Sequence, residues 1–443
     1  LGEVRRQVEQ LSTHSQTLSS ETHRLRAVLS SNQARGRWGE ETLRRVVEAS
    51  GMSAHCDFVE QVREGDSKPD LIVRLPGDRV IIVDSVPDSA MLPLSTPPDS
   101  VCLLRLSAIG DTCHVVPLLR SLQRAWPQTR FSWVIGKAEA RLMTLLPEIE
   151  FITVDKRAGL RGLRELRRTL GDRRFDLLLH LQLSIRASAV AAVIRARCKL
   201  GFDRARAREL QWLFTDARIE PRTREHVLDS FMGFAATCGV QDHRLVWDLP
   251  LPEPAQERAR GLIPENRGRA ARTMVISACS SHALRNWRAE RYAAVARHAI
   301  ERHGMRVILA GGPARIEREM AEAIRRDCPS AIDQVGQDTL PELLALLQRA
   351  TVLLAPDTGP AHMATMVGTP VIGLYAATNP ARSGPYLSRQ WCIDAFPRAA
   401  AAFLNSTPER LPWATKIERP GVMDLISVGE VCTRLDELLA LPP

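Results

Sequence analysis

The stretch LLAPDTGPAHMATMVGTP, residues 353–370, decides the fold class of the second half of the chain. Its apolar start predicts a strand, and Asp357-Thr358-Gly359 lead into a helix that we expect to open at Pro360. Proline in the first helical turn leaves the next backbone amides free, and free amides at a helix N-terminus form a natural diphosphate site. A strand that turns into such a helix is typical of α/β proteins.

The polar side chains of this stretch favour a functional site over a helix that is merely well capped. Thr358 offers a hydroxyl, and His362 lies within the first turn at the same end of the helix. Because a carboxylate repels phosphate, we expect Asp357 to bind sugar hydroxyls or to fix the loop.

Strands and helices alternate on both sides of this stretch, which predicts parallel sheets. A proline-rich break at residues 248–257 separates two alternating series. We therefore expect an α/β protein with two facing Rossmann-like domains, residues 101–250 and 251–443. The predicted strands are Val101–Leu106, Arg130–Ile135, Phe151–Val154, Phe175–Leu181, Met274–Ala278, Val307–Ala310, Ile332–Val335, Val352–Ala355 and Val371–Tyr375.

The segment RLSAIGDTCH, residues 105–114, follows the first predicted strand of the first series. Gly110 permits a tight strand-to-helix turn, and we expect a helix to open at Asp111, which places that residue at or near the N-cap. The helix dipole favours an ionised carboxylate there, and such a carboxylate can accept the proton of an attacking sugar hydroxyl. An ordinary N-cap aspartate is the alternative, and position alone favours it.

The segment SACSSHALRNWRAERY, residues 277–292, follows the first strand of the second series. Ser280, Ser281 and His282 supply hydrogen-bond donors, and Arg285 supplies a fixed positive charge. An enzyme that uses no metal needs such groups to stabilise a departing nucleotide diphosphate. A polar connecting loop is an equally simple interpretation.

A glycine turn, AGGP at residues 310–313, follows the next strand. Gly311 belongs to this turn, and Glu317 lies one helical turn beyond it, within reach of a ribose hydroxyl. A DxD metal pair in the alternating region, a Walker loop and a GxSxG elbow are absent, so we expect no metal site, no P-loop phosphoryl transfer and no serine hydrolase.

The net charge of +9 over 443 residues is concentrated in one stretch. Residues 156–224 hold 18 Lys and Arg against 7 Asp and Glu. This indicates an anionic partner such as a phospholipid, a phosphorylated glycolipid or nucleic acid, unless the charges only line solvated helix faces. The nine cysteines form no CxxC pair, and no window has about 18 consecutive apolar residues, so we expect a cytoplasmic protein with reduced thiols.

At these motifs the chain resembles the heptosyltransferases of lipopolysaccharide core synthesis, glycosyltransferase family 9. The matching pieces run in family order through residues 100–443: RLSAIGD, the NW-ERY segment, AGGP and PDTGPAHMATMVGTPVIGLYAATNPARSGPY at residues 356–386. The resemblance implies a GT-B fold, an ADP-heptose donor in the second domain and an inverting transfer without metal or other cofactor. It also implies Asp111 as catalytic base and a donor loop of Asp357, Thr358, Gly359 and His362.

Two positions depart from the family pattern. Arg285 stands at or near the position of a lysine that faces the donor phosphates, and Ala376-Ala377-Thr378 replaces the usual GPT. Arginine keeps the charge but is a planar fork where lysine is a point charge. These changes leave the donor sugar open, so another ADP- or UDP-linked sugar is an alternative.

Residues 1–85 lie outside the two alternating series of strands and helices, and the proline-rich residues 86–100 are expected to be a linker. Heptad-like spacing predicts a helix over residues 1–31, another helix is expected near residues 40–49, and two short strands follow at Leu71–Leu75 and Val80–Val83.

The runs GRWGEETLRRVVEASGM, residues 36–52, and KPDLIVRLPGDRVIIVDS, residues 68–85, resemble the DNA recombination protein RmuC family, which has a restriction-nuclease-like core. The resemblance implies Asp70 and Asp84 as vestigial metal-binding carboxylates, with Glu40 as a helper. Val86 stands where the nuclease lysine is expected, so we predict an inactive fragment, joined by a gene fusion or by an assembly error.

The preferred function is transfer of a sugar to an anionic lipid-linked saccharide, with peripheral contact to the inner-membrane surface and no role for nucleic acid. The basic stretch lies in the expected acceptor domain, and Thr378 is a further donor-site candidate. A DNA-processing nuclease and a sugar-nucleotide binding protein without turnover are the alternatives.

Overall fold

The computed structural model describes residues 96–209, 211–266 and 269–441, together with three strands nearer the start of the chain. By their contacts the residues divide into two compact units, Leu1–Pro87 and Asp88–Pro443.

In the first unit three strands form an antiparallel sheet, in the order β1 (Asp57–Val59), β2 (Leu71–Leu75) and β3 (Arg79–Val83). The last two confirm the two strands predicted for this segment. The helices predicted over residues 1–31 and 40–49, which include Glu40, lie outside the described residues, as do the carboxylates of Asp70 and Asp84.

The second unit begins with a six-stranded parallel sheet of order β6-β5-β4-β7-β8-β9. Its central strands are rich in Val, Leu and Ile and are buried, because helices cover both faces. The strands are β4 (Ser100–Leu104), β5 (Arg130–Gly136), β6 (Ile149–Val154), β7 (Phe175–His180), β8 (Ala196–Gly201) and β9 (Ala217–Arg218). The helices are α1 (Ile109–Ala125), α2 (Lys137–Met143), α3 (Gly159–Leu170), α4 (Ile185–Val193) and α5 (Val227–Thr237).

A second six-stranded parallel sheet follows, with the order β14-β13-β12-β15-β16-β17. A small antiparallel pair, β10 (Glu265–Asn266) and β11 (Arg269–Ala270), precedes it. The strands are β12 (Thr273–Ile276), β13 (Arg306–Leu309), β14 (Ile332–Asp333), β15 (Val352–Pro356), β16 (Val371–Tyr375) and β17 (Ile393–Asp394). The helices are α6 (Glu253–Leu262), α7 (Ala289–His303), α8 (Arg315–Asp327), α9 (Leu340–Arg349), α10 (Gly359–Met366), α11 (Pro380–Ser383), α12 (Phe396–Leu404) and α13 (Val428–Ala440).

Both sheets have the same doubly wound topology, which confirms the predicted α/β fold class. In each, the first strand along the chain is central, and the strand order reverses between it and its fourth strand. Ligands of such sheets bind in the crevice outside the carboxyl ends of the strands at this reversal. Ligands are therefore expected at the loops after β4 and β7, and at those after β12 and β15.

The two halves of this unit meet where the N-terminal turns of α1 and α10 pack together. A Cβ atom on Gly110 would overlap with Cδ2 of His362, and one on Gly359 would overlap with Cγ2 of Ile109. Gly110 was expected to permit a tight turn before a helix. It lies instead inside α1, and its missing side chain permits close contact with the opposite half.

No helix within the described ranges is both long enough and apolar enough to cross a bilayer.

Candidate active site

Asp111 lies just beyond the carboxyl end of β4, in the first turn of α1. The helix begins at Ile109 with Ala108 as its N-cap residue, so the expectation that it opens at Asp111 was wrong by two residues. Asp111 Oδ2 accepts hydrogen bonds from the backbone N–H of Ala108 at 3.4 Å and from Nη2 of Arg105. Oδ1 has no hydrogen-bond partner in the described part of the chain. The carboxylate is thus oriented through one oxygen, while the other is available to a ligand.

Arg105 is fixed from three sides, and it was not singled out from the sequence although it begins the RLSAIGD motif. Its Nη1 donates to the carbonyl oxygen of Leu181 at 2.6 Å, and its guanidinium lies 5.4 Å from the ring centroid of Phe231. Leu181 follows β7, so this arginine joins the two loops at the strand-order reversal of the first sheet. A guanidinium held in this way orients the carboxylate of Asp111.

Arg285 lies in the corresponding crevice of the second sheet, but its charge is already paired. Its Nε and Nη2 donate to Oε1 of Glu418 at 2.9 and 2.6 Å. Its Nη1 lies 3.6 Å from Oδ2 of Asp357. Asp357 therefore contacts the arginine that sequence reasoning assigned to the donor phosphates. Glu418 carried no sequence signal, because it is a tertiary partner 133 residues away.

The loop after β12 is held to the loop after β15 by hydroxyl groups. Thr358 Oγ1 donates to the carbonyl oxygen of Cys279 at 3.3 Å. Ser280 is buried, and its hydroxyl bonds to both the N–H and the carbonyl of His282. Ser281 is exposed at the surface of the same loop. The structure thus brings together the residues predicted around residues 277–285 and 357–362.

A row of aromatic rings crosses from one half to the other beside these two crevices. His362 of α10 lies 4.6 Å from His114 of α1, His114 lies 5.3 Å from His226, and His226 lies 4.9 Å from Tyr386, measured between ring centroids. His362, which was predicted for the donor loop, is buried and lies against Gly110 and His114. We call these four residues the histidine row.

Burial keeps the three histidines of this row neutral. It lowers the pKa of His226 to about 3, and it also lowers the pKa of His114 and of His362 below the usual value of 6.5. His226 accepts the N–H of Leu228 on Nδ1 at 3.1 Å, and its Nε2 lies 2.9 Å from the carbonyl oxygen of Gly384. The neutral tautomer protonated on Nε2 satisfies both bonds.

Comparison with known proteins identifies the family. Residues 163–410 match the model of Glycosyltransferase family 9 (heptosyltransferase). The chain belongs to this family. Lipopolysaccharide core heptosyltransferase OpsX of Haemophilus influenzae is 38% identical over 349 residues, which are 78% of this chain and 99% of that protein. Lipopolysaccharide heptosyltransferase 3 of Escherichia coli is 22% identical over 278 residues, 61% of this chain and 81% of that protein.

Solved structures of this family share the fold. The glycosyl transferase family 9 protein from Veillonella parvula superposes with a TM-score of 0.62 at 22% identity, over 77% of this chain and 97% of that one. The E. coli heptosyltransferase WaaC with ADP gives 0.59 at 19% identity, over 76% and 99%. The predicted GT-B fold and the assignment to the glycosyltransferases are confirmed.

The start of the chain matches a second family. Residues 1–90 match the RmuC family, as the sequence motifs predicted. The DNA recombination protein RmuC homolog of Chlamydia pneumoniae is 40% identical over 86 residues, which are 19% of this chain and 21% of that protein. The chain spans about a fifth of the length of this relative, so the activity of the whole RmuC protein does not follow from the match.

The remaining residues predicted for a nucleotide sugar lie at the carboxyl ends of β13 and β16. Glu317 Oε1 accepts the backbone N–H of Gly312 at 2.9 Å, so this carboxylate braces the AGGP turn next to Gly311. A small depression of about 10 Å³ lies at this turn, bounded by the ends of β12 and β13. Thr378 is buried in the loop that follows β16.

Two cations of this glycosyltransferase site escaped the sequence analysis, Arg382 in α11 and Lys416. Burial lowers the pKa of both side chains, and the nearby negative charge of Asp357 partly opposes that shift. Arg382 lies inside the quoted motif of residues 356–386, which was a signal for it. Lys416 lies well beyond that motif, and nothing in its local sequence pointed to the site.

A cluster of potential metal ligands lies away from these crevices. His298, His303 and Asp436 bring three potential metal ligands together, with each histidine Nε2 at 2.7 Å from the same carboxylate oxygen. Arg302 lies 3.6 Å from the other oxygen of Asp436, so these contacts describe a hydrogen-bonded contact between α7 and α13.

A groove of about 800 Å³ is lined by Ser100, Arg130, Phe175 and other residues at the amino ends of the first sheet's strands. The motifs described above all follow the carboxyl ends of strands, where ligands of doubly wound sheets bind. We therefore place the active site at the carboxyl ends, in spite of the size of this groove.

Proposed function

We propose that this protein transfers heptose from ADP-heptose to the anionic core of a lipopolysaccharide precursor, by an inverting single displacement that uses no metal. The observation that carries the proposal is the carboxylate of Asp111, which has one oxygen held by Arg105 and the other available. The helix N-terminus that it occupies packs against the donor loop of the opposite half. The H. influenzae lipopolysaccharide core heptosyltransferase, of which 99% is matched, supports heptose as the sugar and the lipopolysaccharide core as the acceptor.

In the proposed reaction Asp111 Oδ1 accepts the proton of the acceptor hydroxyl. The hydroxyl oxygen forms a bond to the anomeric carbon of heptose as the bond from that carbon to the diphosphate breaks. The electron pair of the broken bond leaves on the diphosphate oxygen, where positive groups of the second half stabilise it. Direct displacement from the opposite face inverts the anomeric centre.

The acceptor side carries the basic stretch of residues 156–224, and part of its charge is unneutralised. Arg164, Arg167 and Arg168 are exposed on α3, and none has an ion-pair partner among the residues described. Ile185, at the start of α4, is 55% exposed although it is apolar. Exposed arginines and an exposed apolar side chain on neighbouring helices suit a surface of anionic lipid, so we propose peripheral contact of this half with the membrane.

The test is the full chain incubated with ADP-heptose and a heptose-deficient lipopolysaccharide precursor, with ADP release and product mass as readouts. We expect turnover that persists in EDTA and a product of inverted configuration. ADP binding without any turnover would instead support the sugar-nucleotide binding protein. Activity that is abolished by EDTA and restored by a divalent cation would contradict the metal-free mechanism.

A further inference from the structure

Arg285 is poorly placed to meet a donor diphosphate, because two carboxylates already use its charge. Two of its nitrogens bond to Glu418, and a third lies 3.6 Å from Asp357. One positive charge between two negative ones leaves a local excess of negative charge. A diphosphate that approached this group would meet repulsion unless further cations were present.

Lys416 is such a cation, and the chain on its C-terminal side fixes it in place. The N–H of the next residue, Ile417, donates to the carbonyl oxygen of Ala377 at 2.8 Å, and the Ile417 side chain is buried. One residue further, Glu418 binds Arg285. The backbone of Lys416 is therefore anchored to the loop that follows β16, beside the carboxyl end of β15. Lys416 is exposed, and its ammonium has no hydrogen bond or ion pair with any described residue.

Arg382 is the second cation, and the loop that carries it is fixed by both halves. Asn379 caps α11 by accepting the N–H of Ala381 at 2.9 Å, and the carbonyl oxygen of Gly384 lies 2.9 Å from Nε2 of His226. The Arg382 side chain is half-buried, yet it forms no hydrogen bond or ion pair within the described ranges.

The charged groups that act on Arg382 and Lys416 indicate where these two side chains lie in the site. The charges of Asp111, Arg208, Asp357 and Arg105 act on Arg382, and those of Arg285, Glu418, Asp357 and Arg382 act on Lys416. Both cations are thus within electrostatic range of Asp357 in the donor loop, and Arg382 is also within range of Asp111. Partial burial of Arg382 without a partner is unfavourable, and a bound anion offsets that cost.

We infer that Lys416 and Arg382 together bind the diphosphate of the donor nucleotide, while Arg285 holds Asp357 and Glu418 in position. This inference rests on the proposed function, because it assumes a nucleotide-diphosphate donor. Lys416 supplies the point charge that the family's lysine would supply at position 285. Arg382 stands nearer the bond that breaks, where it stabilises the negative charge that the diphosphate oxygen gains with the electron pair of the sugar–oxygen bond.

The first experiment measures ADP and AMP binding to the full chain by calorimetry. Lys416→Ala and Arg382→Ala should each weaken ADP binding by roughly 10–100-fold, the loss expected for a hydrogen bond between charged groups. AMP binding should change much less, because AMP lacks the second phosphate. Lys416→Arg should retain most of the ADP affinity. Arg398→Ala, which removes a surface arginine paired with Glu430, is the matched control and should leave both affinities unchanged.

The second experiment separates binding from catalysis with the turnover assay. Arg382→Ala should lower kcat by about 10²-fold in addition to raising the donor KM, as is typical when a donor to a developing negative charge is removed. Lys416→Ala should act mainly on the donor KM. A merely structural role would change the melting temperature and both nucleotide affinities together.

The outcomes distinguish this inference from the proposed function. If the wild-type chain binds neither ADP nor ADP-heptose, the proposed donor is wrong. If it binds ADP and turns over, but Lys416→Ala and Arg382→Ala bind ADP as tightly as the wild type, the assignment of the two cations is overturned. Equal losses of ADP and AMP affinity would also overturn it.

Discussion

The two sheets of the glycosyltransferase unit have the same topology and place an arginine in the same loop, but they use it differently. Arg105, after the first strand of the first sheet, binds a single carboxylate and leaves one oxygen of Asp111 available. Arg285, after the first strand of the second sheet, is shared by Glu418 and Asp357. One fold thus provides a carboxylate on one side of the cleft and unpaired cations on the other.

This difference matches what each half must do in the proposed displacement reaction. The acceptor side must take up a proton, which requires an available carboxylate oxygen. The donor side must accept negative charge, which requires cations that are not neutralised in advance. Substitutions that alter one half at a time test this contrast.

The largest effect should come from the acceptor side. Asp111→Asn keeps the size of the side chain but removes the proton acceptor, so kcat should fall by about 10²–10⁴-fold. ADP affinity should change little, because the proposed diphosphate site lies in the other half. Rates of ADP release and calorimetric titration with ADP measure the two quantities.

Asp172→Asn is the control for this change, because Asp172 is a fully exposed aspartate that pairs only with Arg195 among the described residues. It should behave as the wild type. Turnover of Asp111→Asn within a few-fold of the wild type would refute the base assignment and the proposed contrast between the halves.

The histidine row predicts that the contact between the halves weakens in acid. The pKa of His226 is lowered to about 3 and those of His114 and His362 are also lowered, so the unfolded chain binds more protons than the folded one below pH 6.5. The contribution of His226 to stability is complete above pH 6.5 and is lost as the pH falls towards 3, at about 1.4 kcal/mol per pH unit in that window. His114 and His362 add to the loss below pH 6.5.

Urea unfolding between pH 7.5 and 5 measures this slope. His226→Gln should lower stability at pH 7.5 and make the slope shallower, because one titrating group is removed. The same substitution at the exposed His243 should leave the slope unchanged. A slope that is identical in wild type and His226→Gln would show that the row does not control acid stability.

A smaller effect should come from the glycine contact between the halves. Gly359→Ala places a methyl group against Ile109, and such overpacking costs roughly 1–3 kcal/mol. Ile109→Ala in the same chain should recover part of this loss, because it removes the atom that the new methyl group meets. Gly429→Ala, in α13 with open space around it, is the control. Melting temperatures of the wild type and these three variants test the contact, and no recovery in the double variant would contradict it.

The sequence predicted most of the alternating fold, because its strands are continuous apolar runs. It missed β8, where Arg197 and Lys199 interrupt the apolar pattern, and the two-residue strands β9 and β17. Of the site, it predicted what lies in contiguous motifs, such as Asp111 and Asp357. It did not predict the partners that only folding brings together.

Arg285 and Glu418 show why those partners were out of reach. The sequence of the loop alone predicts an unpaired charge at Arg285, because its carboxylate partner, Glu418, lies 133 residues later and belongs to no motif. The same holds for Gly110, whose requirement for glycine comes from His362 in the other half. Residues chosen by tertiary contact leave no local pattern in one sequence.

The smallest effect should come from making the second half resemble the first. Glu418→Gln leaves Arg285 with Asp357 as its single carboxylate, which is the arrangement of Arg105 with Asp111. In a Lys416→Ala background, the released guanidinium should recover ADP affinity by a few-fold, because a charge-assisted bond to phosphate replaces part of what was lost.

Calorimetry with ADP compares the double variant with Lys416→Ala alone, and Glu319→Gln in the same background is the matched control, since Glu319 is an exposed carboxylate that pairs with the exposed Arg315 within α8. Recovery with Glu418→Gln but not with Glu319→Gln would show that the second carboxylate is what keeps Arg285 from the donor. If neither substitution recovers ADP affinity, the position of Arg285, and not its pairing with Glu418, prevents its contact with the diphosphate. Arg105 and Arg285 would then differ in position, and ADP binding would require Lys416 whether or not residue 418 is a carboxylate.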